Sequence, residues 1–307
     1  MQGNLNTCTL TSNKYNYIQM MRELQQHYGF DKIGEGGFGV VLGAKSCAIK
    51  LIKDIKRCEE LEKEKAFYER IEENKPNDLL GRIPVYNLYS KLIDFCHFNT
   101  EKINSPLSEY DESEYKTRVG YVIEDTGLQY IFRDMKTKRG SYLVDKDKVS
   151  LKANRKIIHF YVNHYDVHFK AQSDERGNIM GLMPLIQAFS EAKVKEFCYA
   201  LGQLVAFMVM DCNIYPFDVE NVIGTGEDRV CTLYMYDFNE CVFVDTDNLD
   251  LIALISAKAL FNKDGKHYYP NNKHIYYNYF VEGLKFKRNQ MQSNFIDVML
   301  DKYNDMF

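Results

Sequence analysis

Gly34, Gly36 and Gly39 stand in G-x-G-x-x-G spacing within Ile33-Gly34-Glu35-Gly36-Gly37-Phe38-Gly39-Val40-Val41, and Ala48-Ile49-Lys50 follows. Glycines so spaced let a backbone turn lie close over a triphosphate, where a Cβ would hold it off. Glu35, Gly37 and the aromatic Phe38 fill the turn, and the β-branched Val40 and Val41 suit a strand whose methyls meet an adenine ring. Lys50 comes eleven residues after Gly39, about the length of a hairpin return. A dinucleotide-binding turn shares these glycines but opens directly into a helix. Val40-Val41-Leu42 followed by Gly43 is strand-like instead. The plain alternative is a structural glycine-rich hairpin.

Two carboxylate-bearing segments bracket a second hairpin signal. Pro216-Phe217-Asp218-Val219-Glu220-Asn221-Val222-Ile223 precedes it, and Met235-Tyr236-Asp237-Phe238-Asn239 follows it. Ordinary turn carboxylates are the alternative to any chemistry at Asp218 and Asp237. His159, His164 and His168 approach metal-ligand spacing, His164-x-x-x-His168 above all. Only Asp166 accompanies them, and residues 157–162 read as a strand, so a zinc site is the weaker expectation.

These residues need elements to hold them. Over 15–29 an amphipathic pattern sets Tyr17, Ile18, Met21, Leu24, His27 and Tyr28 on one side of a helix. Residues 53–73 are charged yet keep a stripe at Leu61, Phe67, Tyr68 and Ile71, which predicts a helix docked by one face. Strands are predicted over 84–94 and 118–124, with the polar, acidic stretch 101–116 as a surface insertion. Ser190 caps a predicted helix in which Val194, Phe197, Cys198, Leu201, Leu204, Val205 and Met208 recur at helical spacing, ending near Asp211. Val222-Ile223, a turn through 224–228 and residues 230–235 read as a hairpin. Helices over 249–261 and 293–303 finish the chain.

Taken in order, glycine turn, Lys50, helix and hairpin resemble the protein-kinase-like superfamily over residues 28–245. The Ala-x-Lys strand after a glycine flap is similar to the kinase signature whose lysine contacts the α- and β-phosphates. Glu64, in Glu64-Lys65-Ala66-Phe67-Tyr68-Glu69-Arg70-Ile71, is similar to the helix glutamate that pairs with that lysine; Glu60 is the next candidate. Most of the glutamates around it alternate with lysines, as a solvated face would. Tyr121-Val122-Ile123-Glu124-Asp125-Thr126-Gly127 looks like the last small-lobe strand running into a hinge, which puts Glu124 at the adenine edge. A buried strand ending in a turn is the bland alternative there.

Asp237-Phe238-Asn239 resembles the kinase D-F-G with Asn in the last place, a residue that tolerates left-handed backbone. The resemblance implies that Asp237 holds Mg2+ against the phosphates. Setting Glu220-Asn221-Val222-Ile223 on the end of the kinase catalytic loop makes Asn221 the second metal ligand. Pro216, which accepts no proton, then stands at the base position. Asp218 lies three residues before Asn221 rather than five, and serves as general base only in a shortened loop. No A-P-E motif occurs in the 68 residues after Asn239, which implies a reduced large lobe.

A narrower resemblance joins residues 201–242 to an uncharacterised fungal family of domain-of-unknown-function proteins. It rests on Asp218-Val219-Glu220, Tyr236-Asp237-Phe238-Asn239-Glu240-Cys241, Leu260-Phe261-Asn262 and Tyr268-Tyr269-Pro270. Some members are labelled zinc finger proteins, but no cysteine spacing here supports a zinc finger.

The kinase resemblance implies an α+β, two-lobed protein-kinase-like fold. A small β-rich N-lobe would lie in residues 1–127 and a mainly helical, reduced C-lobe in 128–307. It implies ATP and Mg2+, with Val41, Ala48, Lys50 and Glu64 at the nucleotide and a protein or small-molecule hydroxyl as acceptor. A catalytically inactive pseudokinase, using the fold as a nucleotide-binding or scaffold module, is the competing expectation. Composition narrows the rest: 45% hydrophobic and 27% charged residues over 307 positions suit a globular chain with a sizeable core. A net charge of −4 argues against nucleic acid or an anionic membrane as partner. No apolar run reaches about 18 residues, as a membrane span requires, and the polar start shows no secretory signal. Eight cysteines without a C-x-x-C pair favour reduced thiols in a cytoplasmic or nuclear setting.

Overall fold

Successive residues of a strand point to opposite faces, so the strands around the glycine turn carry two different chemistries. The computed structural model describes residues 17–43, 47–84, 86–92, 95–101, 158–163, 179–180, 185, 189–225, 230–262 and 265–307. They are a mixture of helix and sheet in two compact units, one within residues 1–68 and 85–102, the other within 69–84 and 103–307.

In the first unit, helix α1 (Tyr17–Tyr28) leads into strands β1 (Asp31–Glu35), β2 (Gly39–Gly43) and β3 (Cys47–Ile52). Helix α2 (Cys58–Asn74), which from Glu69 on is counted in the other unit, follows, then β4 (Tyr86–Leu92) and β5 (Phe95–Glu101). The five strands form an antiparallel sheet in the order β1-β2-β3-β5-β4. Val40 pairs with Leu51 and Leu42 with Ile49; these four are buried together, with Met21 of α1 and Phe30 against them. On the other rows Val41 pairs with Lys50 and Gly43 with Ala48. Of the valine pair expected at a purine ring, Val40 therefore belongs to the core under α1, and only Val41 shares the face of Lys50. The strand beside β3 is β5, where the sequence pattern predicts none, and the expected strand 118–124 lies outside the described residues. Ile18 and His27 of α1 are exposed rather than on its docked side, because Met21 and Phe30 carry that packing.

The second unit is built on helix α3 (Glu191–Ala206), buried along most of its length and capped by Ser190, whose Oγ accepts from Lys193 N. It runs into a π-helical turn, Phe207–Asp211, and then into strand β8 (Ile214–Tyr215). Strands β9 (Glu220–Thr225) and β10 (Cys231–Tyr236) pair antiparallel, as the hairpin signal predicts. Strand β6 (Ile158–Phe160) adds to β9, and β7 (Ile179–Met180) adds to β6. Strand β11 (Val242–Phe243) returns to pair with β8. Helices α4 (Leu249–Leu260), α5 (Gly265–Tyr268), α6 (Tyr277–Lys285) and α7 (Gln290–Asn304) complete the unit. Among the described residues no helix is long and apolar enough to cross a membrane, and Cys198, Cys212, Cys231 and Cys241 are free thiols.

His274 is expected to make this unit acid-sensitive. Its Nε2 lies 2.9 Å from the Val162 carbonyl oxygen and its Nδ1 accepts from Tyr276 N at 3.0 Å. A second ring proton would point at the Tyr276 N–H, and burial lowers the imidazole from its ordinary 6.5. A folded value below the unfolded one means that the unfolded chain takes up more protons on acidification. Stability is therefore expected to be full above pH 6.5 and to fall as pH drops below it. Urea midpoints at pH 7.5 and 5.5 check this, and in His274→Gln the difference should shrink.

Candidate functional site

Lys50, on β3, donates from Nζ to Glu64 Oε2 at 2.9 Å and to Oε1 at 3.2 Å. The two side chains are 14% and 2% exposed, so the pair is largely withdrawn from water. Glu60, the other glutamate in reach by sequence, takes a different cation. It accepts from Arg57 Nε at 2.7 Å and Nη2 at 2.6 Å, which holds its carboxyl below the ordinary value. Ala48 is buried and Val41 half-buried.

The turn above them is tight. Gly36 N–H donates to the Gly39 carbonyl at 2.9 Å, and Lys53 N–H to the Phe38 carbonyl at 3.2 Å. Lys53 Nζ reaches the Gly36 carbonyl at 2.8 Å and Glu35 Oε1 at 2.6 Å. Lys32 and Lys53 together hold the Glu35 carboxyl down to about 2. A Cβ on Gly39 would stand 2.4 Å from the Leu51 carbonyl oxygen, so the sheet itself demands glycine there. At Gly36 and Gly37 a Cβ would meet nothing within 4 Å. Gly34 pairs with Val41 across a register irregularity in β1. Glu124 and its hinge lie outside the described residues.

In the second unit two ladders fix two loops. Tyr215 pairs with Val242 on one side, and Glu220 pairs with Tyr236 on the other. Loop 216–219, carrying Asp218, and loop 237–241, carrying Asp237, both span from one ladder to the other. The Cys241 thiol lies 4.0 Å from the Phe217 carbonyl, tying the loops together. Asp218 has φ 52° and Asp237 φ 65°, left-handed backbone that costs most side chains energy and Asp less than most. The left-handed position is thus Asp237 itself. Asn239, expected to take it, lies outside that region because the chain turns as soon as β10 ends.

Asn221 is fully buried, and its Nδ2 lies 3.4 Å from the Tyr269 hydroxyl. Its Oδ1 is buried without a hydrogen-bond partner. Exchanging the two ends of the amide would only move that deficit to the nitrogen. Glu220, one residue earlier, faces the other side of the strand, where the Tyr236 hydroxyl donates to it. Burial, and then the Glu220 charge, push the Tyr236 and Tyr268 hydroxyls well above their ordinary values. The Tyr161 ring packs 4.6 Å from Tyr268, and His267 lies 5.7 Å from Tyr161. The sequence pattern assigns no role to Glu220 or to these tyrosines. Adjacency to Asn221 on a strand is the one signal that separates Glu220, and nothing marks three tyrosines among 23. Among the described residues no three His, Cys, Asp or Glu side chains converge to hold a metal ion. His159 lies on β6, whereas His164 and His168 are outside the described residues.

No protein-family model matches the chain, and no curated protein matches it. Among solved structures it is similar to the aminoglycoside phosphotransferase APH(3'')-Id from Streptomyces rimosus, at 11% identity and a TM-score of 0.29, over 94% of this chain and 97% of that one. It is also similar to the GDP complex of aminoglycoside 2'-phosphotransferase-IIIa, at 10% identity and a TM-score of 0.27, over 95% of this chain and 100% of that one. At TM-scores under 0.5 neither likeness assigns a fold or an activity.

Proposed function

We propose that this chain is a divergent, two-lobed kinase-like phosphotransferase that binds ATP and Mg2+ and transfers the γ-phosphoryl group to a protein or small-molecule hydroxyl. The observation that carries this is the buried pair Lys50–Glu64 on the face of the sheet below the glycine turn. A buried ion pair is a poor source of stability compared with apolar packing, and holding an ammonium ready for phosphate gives it a purpose. The open positions at Gly36 and Gly37 support the same reading, since no protein atom there requires glycine and the close approach of a ligand would.

Asp237 and Asn221 supply hard oxygen donors of the kind Mg2+ takes, and Asn221 Oδ1 lacks a hydrogen bond within the fold. Bound there, the ion would neutralise charge on the phosphates. Asp218, on the loop beside Asp237, would accept the proton of the attacking hydroxyl. The competing reading, a pseudokinase that binds nucleotide without transfer, is favoured by the buried Pro216 at the expected position of the base.

Thermal denaturation with rising ATP·Mg2+ tests the proposal, because a ligand at a hundred times its Kd stabilises by about 2.7 kcal/mol. The wild-type midpoint should rise and that of Lys50→Met should not. Transfer of labelled phosphate to the chain or to an added acceptor should then fall by about a hundredfold or more in Asp237→Ala. No shift with nucleotide would overturn the proposal; a shift without transfer would leave the pseudokinase.

A further inference from the structure

We propose that Phe38 is an aromatic stopper on Lys50, so that a phosphate group reaches the ammonium only after the ring has swung away. Phe38 sits at the tip of the glycine turn, where a large apolar side chain would ordinarily be exposed, yet only 8% of it is. Its ring is seated among cations instead. Lys50 Nζ lies over it at 5.0 Å from the centroid, and the Arg57 guanidinium at 4.6 Å. The negative face of an aromatic ring attracts both charges, more strongly the less water surrounds them. Glu60 grips the Arg57 guanidinium by two hydrogen bonds and so keeps one of the two cations in place.

The contact competes with phosphate. A phosphate oxygen must come within about 2.9 Å of Nζ to form a charge-assisted hydrogen bond. Glu64 takes one side of the ammonium and the ring stands on another, and the Lys50 side chain is only 14% exposed. The Phe38 carbonyl accepts from the Lys53 N–H, a backbone bond that rotation about the side chain's own first bond leaves intact. The neighbouring Gly36 and Gly37 present no side chain to obstruct it.

The nucleotide arm of the following test rests on the proposed function; the labelling arm does not. Without nucleotide, a small amine reagent such as methyl acetimidate is allowed to modify wild type, Phe38→Ala and Phe38→Leu, and each lysine is followed by peptide mass spectrometry. Lys50 should react about fivefold faster or more in Phe38→Ala, with Phe38→Leu between, because leucine covers the site without a π face. The exposed Lys266, in the other unit, should not change and serves as the internal reference. Circular dichroism confirms that both variants are folded, and Phe38→Leu carries the test if Phe38→Ala is not. Equal Lys50 rates in all three proteins would overturn the stopper. With ATP·Mg2+, Phe38→Ala should bind about fivefold tighter than wild type; weaker binding would overturn the stopper by showing the ring to be part of the nucleotide's cover. Faster Lys50 labelling with no nucleotide binding by any variant would support the stopper while removing the phosphotransferase reading.

Discussion

Lys50→Met will destabilise the sheet unit by about 3 kcal/mol or more, because it removes the cation from an ion pair whose carboxylate is 2% exposed. Glu64→Met will cost less. The Lys50 side chain keeps 14% of its surface in water against 2% for Glu64, and a long ammonium stem can turn its head outward where a glutamate on a packed helix cannot. The double variant Lys50→Met/Glu64→Met will recover most of the loss, since two methionines fill similar volume without a charge to desolvate. Urea unfolding followed by circular dichroism gives the four free energies of this cycle. Strictly additive losses would mean that the two side chains are not coupled, and would remove the pair as the organising feature of the unit. The same variants separate stability from chemistry: if the double variant is stable again yet no longer shifts with ATP·Mg2+, the ammonium is serving the nucleotide.

How much of this was legible in the residues differs from place to place, for identifiable reasons. Helix α3 and the β9–β10 hairpin follow from periodicity, because long apolar repeats and a capped start leave little choice of conformation. The pairing of Lys50 with Glu64 rather than Glu60 was readable only as a family likeness. Both glutamates sit on α2, and Arg57, three residues before Glu60, is what removes it from competition. Strand β5 was hidden because Phe95-Cys96-His97-Phe98-Asn99-Thr100 lacks clean alternation of apolar and polar residues. Helix α6 was hidden for another reason: nine residues carry too short a pattern, and tertiary contact supplies its stability. The seat of Phe38 between two cations could not be read at all, since it depends on where a turn folds back in space.

The second large effect lies at the crossing of α3 and α6, and it concerns two glycines that no motif singles out. A Cβ on Gly202 would stand 2.1 Å from the Phe280 carbonyl oxygen, and one on Gly283 would stand 2.0 Å from the Tyr199 carbonyl oxygen. Both obstacles are backbone, so no side-chain rotation relieves them; the helices must move apart. Gly→Ala inside a helix normally gains about 1 kcal/mol, but here it forces apart two helices on which Phe280, Leu284, Leu201 and Leu204 are all fully buried. Overpacking of this kind costs about 3 kcal/mol, or more where backbone blocks relaxation. Either Gly202→Ala or Gly283→Ala should therefore lower the thermal midpoint of the second unit by several degrees. The pair together should cost less than the sum, because helices already separated by one methyl admit the second. The strain will also reach past the crossing. Arg288, just after α6, clasps Asp211 at the end of the π-helical turn through two bonds of 2.6 Å, and β8 and the Asp218 loop begin directly beyond. Hydrogen exchange in Gly283→Ala should accordingly rise along 212–218 as well as along the two helices, and a rise confined to the helices would show that the crossing does not support the loop.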